Sequence, residues 1–330
     1  MATIADVAAR AGLSTATVSR ALNGVSTVDP QLVNRVREAV RELGYQPHGP
    51  ARNLRRRRTD VLGLIISDVE NPFFTAIARG VEDVARDEGY SVVLCNSDED
   101  ADKERRYLDV AAAERMAGVI ISPTSATSHS GVPTDGTPVV AVDRPLPAGS
   151  GDCVLVDTRE AANEATGHLL GRGWGRVACL TGPEGLATAD DRLAGYRDAL
   201  RAAALPFDPA LVRRAPYRAD GAREATRDLC ATPIPPDGLL IANSAMAIGA
   251  LEALRDNGLR PGRDIGVVAF DDAPWATLVD PPLTVVAQPA YDLGTTATRL
   301  LLARIADRAR PSSTTILGAR LIARASSAER

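Results

Sequence analysis

Three short runs of helical periodicity open the chain, and alternating strand-like and helical runs fill the rest. Thr3 and Asp6 are spaced as a capping box, and Val7, Ala8 and Ala11 follow on one face. Gly12-Leu13-Ser14 breaks that helix, and Ser14 can cap a second one, which places Val18, Ala21 and Leu22 together and stops near Asn23-Gly24. A third helix is predicted from Asp29-Pro30, with Val33, Val36, Val40 and Leu43 inward and Gly44 at its end. Residues 46–58 have linker composition, with Pro and Gly followed by four Arg. From Val61 onward the runs 61–67, 90–95, 117–122, 138–143, 176–182, 237–243 and 264–270 are apolar and strand-like, separated by helical stretches. This alternation predicts an α/β fold of two parallel sheets covered by helices.

Charge divides the chain at the same place. Residues 1–58 carry ten Arg against four acidic residues, a surplus of +6, so the remainder holds −10 within a total of −4. A basic head on an acidic body points to a polyanion met by the head alone. Two short helices joined by a Gly-containing turn then suggest a DNA-reading helix-turn-helix, or else a structural three-helix cap. On the second helix, Thr15, Ala16, Ser19, Arg20 and Asn23 lie opposite the apolar face. Arg can pair with guanine, Ala and the Thr methyl can meet a thymine methyl, and Ser and Asn suit phosphates.

Thr3-Ile-Ala-Asp-Val-Ala-Ala-Arg-Ala-Gly-Leu-Ser-Thr-Ala-Thr-Val-Ser-Arg-Ala-Leu-Asn-Gly24 resembles the N-terminal signature of the LacI/GalR (lac repressor) family of bacterial transcriptional regulators. The resemblance favours the DNA-reading alternative. It implies base reading by Thr15, Ala16 and Arg20, within a DNA-binding set of Ser14, Thr15, Ala16, Thr17, Ser19, Arg20, Asn23 and Leu54. It continues through Leu43-Gly-Tyr-Gln-Pro47 and Ala51-Arg52-Asn53-Leu54, a hinge in the family, where Leu54 matches a residue wedged into the minor groove. Pro50 departs from the family pattern, which leaves the start of the hinge helix open. Arg55 to Arg58 form either a solvated linker or an added phosphate contact.

In open α/β sheets ligands bind beyond the carboxyl ends of strands. Those ends supply Ser67-Asp68, Asn96, Ser122, Asp143-Arg144, Asn243 and Asp271-Asp272, an inventory suited to hydroxyl-rich ligands. Phe73 and Phe74 can cover the apolar face of a ring or belong to the core. This region resembles the family's periplasmic-binding-protein-like sensor through Asn71-Pro-Phe-Phe74, Asp191-Arg192-Leu-Ala-Gly195-Tyr, Ala242-Asn243, Phe270-Asp271-Asp272 and Leu283-Thr284…Gln288-Pro289. The resemblance implies effector contacts at Phe73, Asp143, Arg192, Asn243, Asp271 and Gln288. Asp143 and Asp271 could instead cap loops, and Arg192 could form a structural ion pair. Ser244 stands where relatives often carry Asp, and the stretch around Tyr217 is one residue short, so its aromatic contact is unplaced.

Enzyme chemistry finds little support. Gly171-Arg-Gly173-Trp-Gly175 precedes a strand and reads as a helix end, not a nucleotide loop. His48, His129 and His168 lack metal-ligand spacing, and Asp98-Glu99-Asp100-Ala-Asp102 reads as the start of a helix. No catalytic residue, metal or cofactor is expected. Cys95, Cys153, Cys179 and Cys230 show no CxxC and are expected as free thiols. With no signal-peptide pattern and no long apolar run, the expected location is cytoplasmic, which also sets aside a transport binding protein.

The expected organisation is a DNA-binding domain at 1–45, a hinge at 46–58 and an effector-binding and dimerisation domain at 59–330. Its two lobes are expected at roughly 59–158 plus 289–318 and 159–288 plus 319–330. The chain stops at Arg330 without a Leu-rich tetramerising helix, so a homodimer on pseudo-palindromic operator DNA is expected. The expected effector is a sugar or related polyol that releases the operator.

Overall fold

The computed structural model describes residues 2–22, 28–45, 59–124, 136–147 and 150–330. It divides into two compact units, Met1–Thr59 and Asp60–Arg330.

The first unit packs α1 (Ile4–Ala11), α2 (Thr15–Leu22) and α3 (Pro30–Leu43) around Val7, Ala8, Ala11, Val18, Ala21, Val36, Ala39 and Tyr45. The capping box forms as spaced: Asp6 N–H donates to Thr3 Oγ1 at 3.3 Å and Thr3 N–H to Asp6 Oδ2 at 2.7 Å. Asp29 caps α3 by accepting Gln31 N–H at 2.7 Å. One expectation is corrected here. Leu43 is exposed, because Gly44, in left-handed backbone with φ 57°, folds Tyr45 back to fill the core at that end.

The second unit contains two six-stranded sheets. The first joins β1 (Val61–Ile66), β2 (Ser91–Asn96), β3 (Gly118–Ile121), β4 (Val139–Val142), β5 (Asp152–Val156) and β11 (Thr314–Leu317) in the order β11-β5-β4-β3-β1-β2, all parallel. The second joins β6 (Val177–Thr181), β7 (Val212–Arg214), β8 (Gly238–Ile241), β9 (Gly266–Phe270), β10 (Thr284–Ala287) and β12 (Arg320–Ile322) in the order β12-β10-β9-β8-β6-β7. The edge strand β12 runs antiparallel to β10, so this sheet is not purely parallel. Only Gly318 and Ala319 separate β11 in one sheet from β12 in the other, which makes the C-terminal segment a bridge between lobes.

Strand ends and helix starts meet where the two sheets face each other. Helix α4 (Pro72–Asp87) follows β1, α5 (Ala101–Ala113) follows β2, and α6 (Thr158–Gly171) follows β5. In the second lobe α7 (Ala187–Ala202), α8 (Ala219–Cys230) and α9 (Ser244–Asp256) follow β6, β7 and β8, while α10 (Ala290–Ala306) returns to pack on α4. Gly195 has a specific use. A Cβ there would lie 2.0 Å from the Arg159 carbonyl, so only glycine lets α7 and α6 approach this closely and seat Arg192 one turn earlier. The four cysteines are free thiols.

Candidate functional site

The head presents one exposed helix face. Ser14 accepts Thr17 N–H at 3.1 Å, and its hydroxyl meets the Thr17 hydroxyl at 2.9 Å, which fixes the start of α2. Thr15, Ala16 and Arg20 are exposed, while Thr17 and Ser19 are half-buried. Arg20 Nε donates to the Ala16 carbonyl at 3.3 Å, so the guanidinium lies along this face. Arg35 Nη2 donates to the Ala11 carbonyl at 2.6 Å and ties α3 to the turn before the exposed helix. Asn23 and Leu54 lie outside the described residues.

The second unit holds a cavity of about 550 Å³ between its lobes, and Phe73, Asp143, Arg192, Asn243, Asp271 and Gln288 all line it. All but Arg192, on the second turn of α7, are placed by a strand end or a helix start. Asp143 and Asp271 immediately follow β4 and β9, and both have left-handed backbone, with φ 66° and 74°. That conformation is uncommon outside glycine and turns both carboxylates into the cleft. Asn243 caps α9 by accepting Met246 N–H at 2.7 Å. Phe73 stands on the first turn of α4, edge-on to Phe74 with ring centroids 5.2 Å apart. Both rings are buried yet line the cavity, which joins the core and ligand alternatives.

Two of these side chains hold each other. Asp271 accepts Gln288 Nε2 at 2.7 Å and Ser244 N–H at 3.1 Å. Arg192 makes no carboxylate ion pair among the described residues. Its guanidinium lies 4.4 Å from the centroid of the Phe270 ring and donates weakly to Tyr217 Oη at 3.4 Å. Among the lining side chains, Thr124 Oγ1, Arg144 Nε, Arg192 Nε and Gln288 Oε1 are buried without a hydrogen-bond partner. Buried polar atoms of this kind are costly unless a ligand or water meets them. Burial pushes the Asp143 carboxyl above its ordinary value, against the pull of Arg144 and Arg192. Asp271 is raised for the same reason, opposed by Arg192, Gln288 and Ser244.

Several lining residues went unread in the sequence. Tyr217 lines the cavity, its ring against Gly182, where an added Cβ would lie 2.4 Å from Cζ. The residue-short loop therefore still delivers an aromatic. The acidic run 98–102 begins α5 as expected, with Asp100 as N-cap and Asp102 in the first turn, but Asp98 and Glu99 precede the helix in left-handed backbone and line the cavity. Glu99 grips Arg144 at 2.6 and 2.7 Å. The lobes touch across the cleft where Ser244 Oγ donates to Asn71 Oδ1 at 3.2 Å and Arg218 Nη2 approaches Asp98 Oδ1 at 3.4 Å. No cluster of metal-ligating side chains occurs among the described residues. Among them no helix is long and apolar enough to cross a membrane.

Comparison with known proteins accounts for both surfaces. Residues 3–48 match the model for bacterial regulatory proteins of the lacI family, and residues 166–327 match a periplasmic binding protein-like domain. The ribose operon repressor of Halalkalibacterium halodurans is 38% identical over 92% of this chain and 91% of its own length. This chain belongs to the LacI family. The lac repressor dimer bound to operator and an anti-inducer shares its fold with a TM-score of 0.87, at 27% identity over 99% of each chain. A LacI-family regulator from Enterococcus faecium with bound ribose shares 26% identity and a TM-score of 0.72, over 82% of this chain and 99% of that one. The three-helix head with two α/β lobes is the family's architecture. As a LacI-family protein the chain is a DNA-binding transcriptional repressor and not an enzyme.

Proposed function

We propose that this regulator binds a pseudo-palindromic operator as a cytoplasmic homodimer and leaves it when a sugar or related polyol fills the interlobe cleft. Ribose is the first ligand to test. The observation that carries the effector reading is the set of four buried, unpartnered atoms, Thr124 Oγ1, Arg144 Nε, Arg192 Nε and Gln288 Oε1, in a cavity also lined by Asp143, Asn243 and Asp271. A sugar hydroxyl both donates and accepts, so a ring of hydroxyls can satisfy the guanidinium, the amide oxygen and the carboxylates together. Phe73, Phe74 and Tyr217 suit the apolar face of the ring. Ribose is favoured by the bound ligand of the Enterococcus faecium relative and by the name of the 38%-identical repressor.

The DNA reading assigns base contacts to Thr15, Ala16 and Arg20, supporting contacts to Ser14, Thr17, Ser19 and Asn23, and a minor-groove wedge to Leu54. Release follows if the ligand binds more tightly to one lobe arrangement than the other, because only differential affinity shifts an equilibrium. Titrating ribose into the operator complex tests the whole reading. Loss of the complex supports induction, tighter binding makes ribose a corepressor, and no change with no thermal shift removes ribose as effector. Arg20→Ala is expected to weaken specific operator binding about tenfold or more and relax preference at one base pair per half-site. Equal weakening on every sequence would make Arg20 a phosphate contact.

A further inference from the structure

We propose that Ser244 is a hydroxyl latch between the lobes. Its single proton is shared between Asn71 in the first lobe and Asp271 in the second, and a ligand that satisfies Asp271 leaves the proton to Asn71 and draws the lobes together. The proposal rests on the cleft being the effector site, not on which ligand fills it.

Ser244 opens α9 and is 1% exposed, while Asn71 caps α4 in the opposite lobe and is 4% exposed. Polar groups this deeply buried must find partners within the protein. Asn71 Oδ1 already takes Phe73 N–H at 3.0 Å, which places the oxygen, not the amide nitrogen, on that side. The Ser244 hydroxyl, 3.2 Å from the same oxygen, can therefore only donate to it. That separation is long for a hydroxyl donor, for which about 2.7–2.8 Å is usual. The second claim on the proton comes from Asp271. Its Oδ2 takes Ser244 N–H at 3.1 Å. Burial raises the Asp271 carboxyl, and Arg192, Gln288 and the Ser244 amide and hydroxyl pull it back. One O–H thus faces two acceptors, one in each lobe.

Only one of these acceptors is charged, and a carboxylate holds a donor more strongly than an amide oxygen does. Where no other donor reaches Asp271, it competes for the proton and the bond across the lobes is weak. Asp271, Asn71 and Phe73 line the cavity, whereas Ser244 does not. A ligand hydroxyl that donates to Asp271 lowers its demand, leaves the Ser244 proton to Asn71 and strengthens the tie between α4 and α9. Ser244 acts through these neighbours and is a positioning residue. The exposed Arg218–Asp98 pair across the same cleft is too solvated to serve in this way.

The test is hydrogen–deuterium exchange on the full, ligand-free chain, read at the starts of α4 and α9. Ser244→Ala removes the proton but keeps the Asn243 cap and the amide bond to Asp271. It should speed exchange of the first α4 amides by about fivefold, in the lobe opposite the substitution, and Ser244→Thr should restore the wild-type rate. Asp271→Asn removes the competing charge and should slow the same α4 amides by a similar factor, an effect that vanishes in the Ser244→Ala background. With ribose as the probe, wild type should show the same slowing, and Ser244→Ala should weaken ribose binding about fivefold by calorimetry. Faster exchange confined to α9 would make Ser244 a local helix-start residue and overturn the latch. An Asp271→Asn effect that persists without the hydroxyl overturns the sharing of the proton. If ribose neither binds nor slows exchange, ribose falls as effector, while the ligand-free variants still decide the latch.

Discussion

Two buried arginines face the same cavity from opposite lobes and are held in opposite ways. Arg144, after β4, is clamped through both terminal nitrogens by Glu99 and the Pro123 carbonyl, while its Nε, itself without a hydrogen bond, lies 3.6 Å from Asp143 Oδ2. Arg192, on α7, rests on the Phe270 ring and the Tyr217 hydroxyl, with Nε unpartnered. A charge satisfied within the protein contributes to the fold and offers little to a ligand. A charge held by an aromatic face keeps its hydrogen-bonding capacity for whatever enters. The two lobes thus divide the work, the first supplying a pre-built ionic wall and the second an open donor.

That division predicts which property each residue controls. Arg144→Ala should cost the most stability, about 3–5 kcal/mol, because it leaves Asp143 buried without its nearest cation. Urea unfolding of the ligand-free chain measures this, and a loss below about 1 kcal/mol would show that Arg144 is not the structural member of the pair. Arg192→Ala should cost less stability but weaken the effector by about 2–3 kcal/mol, near 100-fold, through loss of charged hydrogen bonds. Operator affinity should stay within a few-fold, giving a repressor that no longer responds. Equal ligand affinity in mutant and wild type would move the binding centre away from α7.

The smallest expected effect is a pH dependence. Burial raises the Asp271 carboxyl above 3.8, so the folded state holds the proton more readily than the unfolded state does. The stabilisation linked to that proton is present below the unfolded value and is lost as pH rises through the folded one. Asp271→Asn should therefore gain stability relative to wild type as pH rises from about 4 toward 7, by an increment set by this one group. A stability difference that stays flat with pH would mean that Asp271 titrates alike in both states. Asp143→Asn should follow the same trend, because burial raises that carboxyl as well.

What could be read from the chain follows the range of the forces involved. Capping at Thr3, Asp29 and Ser14 is settled within three residues, and the structure forms each as spaced. Six of the seven apolar runs identify buried central strands, because parallel strands covered on both faces must be apolar throughout, while the run 90–95 forms the largely exposed edge strand β2. Asp143 and Asp271 were legible as strand-end carboxylates for the same reason. The other edge strands were not. Val212–Arg214 is rich in Arg, and Arg320–Ile322 gains its place only by pairing with β10 in the second sheet. Five strands, β5, β7, β10, β11 and β12, lack a long apolar run of their own and depend on neighbours for their identity.

The sequence by itself determined the helical head, the α/β character of the body, and the family to which its motifs belong. Through that resemblance it also pointed to six residues that the fold gathers around one cavity, three of which, Asp143, Asn243 and Asp271, are legible as strand ends in their own right. Only the tertiary structure decided what each side chain has left to offer. Glu99 meets Arg144 across 45 positions, Gln288 meets Asp271 from the next strand, and Asn71 meets Ser244 across 173 positions between lobes. No local pattern encodes such pairings. They arise when packed sheets bring distant loops within hydrogen-bond distance, and they decide which buried charge is neutralised and which stays open to a ligand.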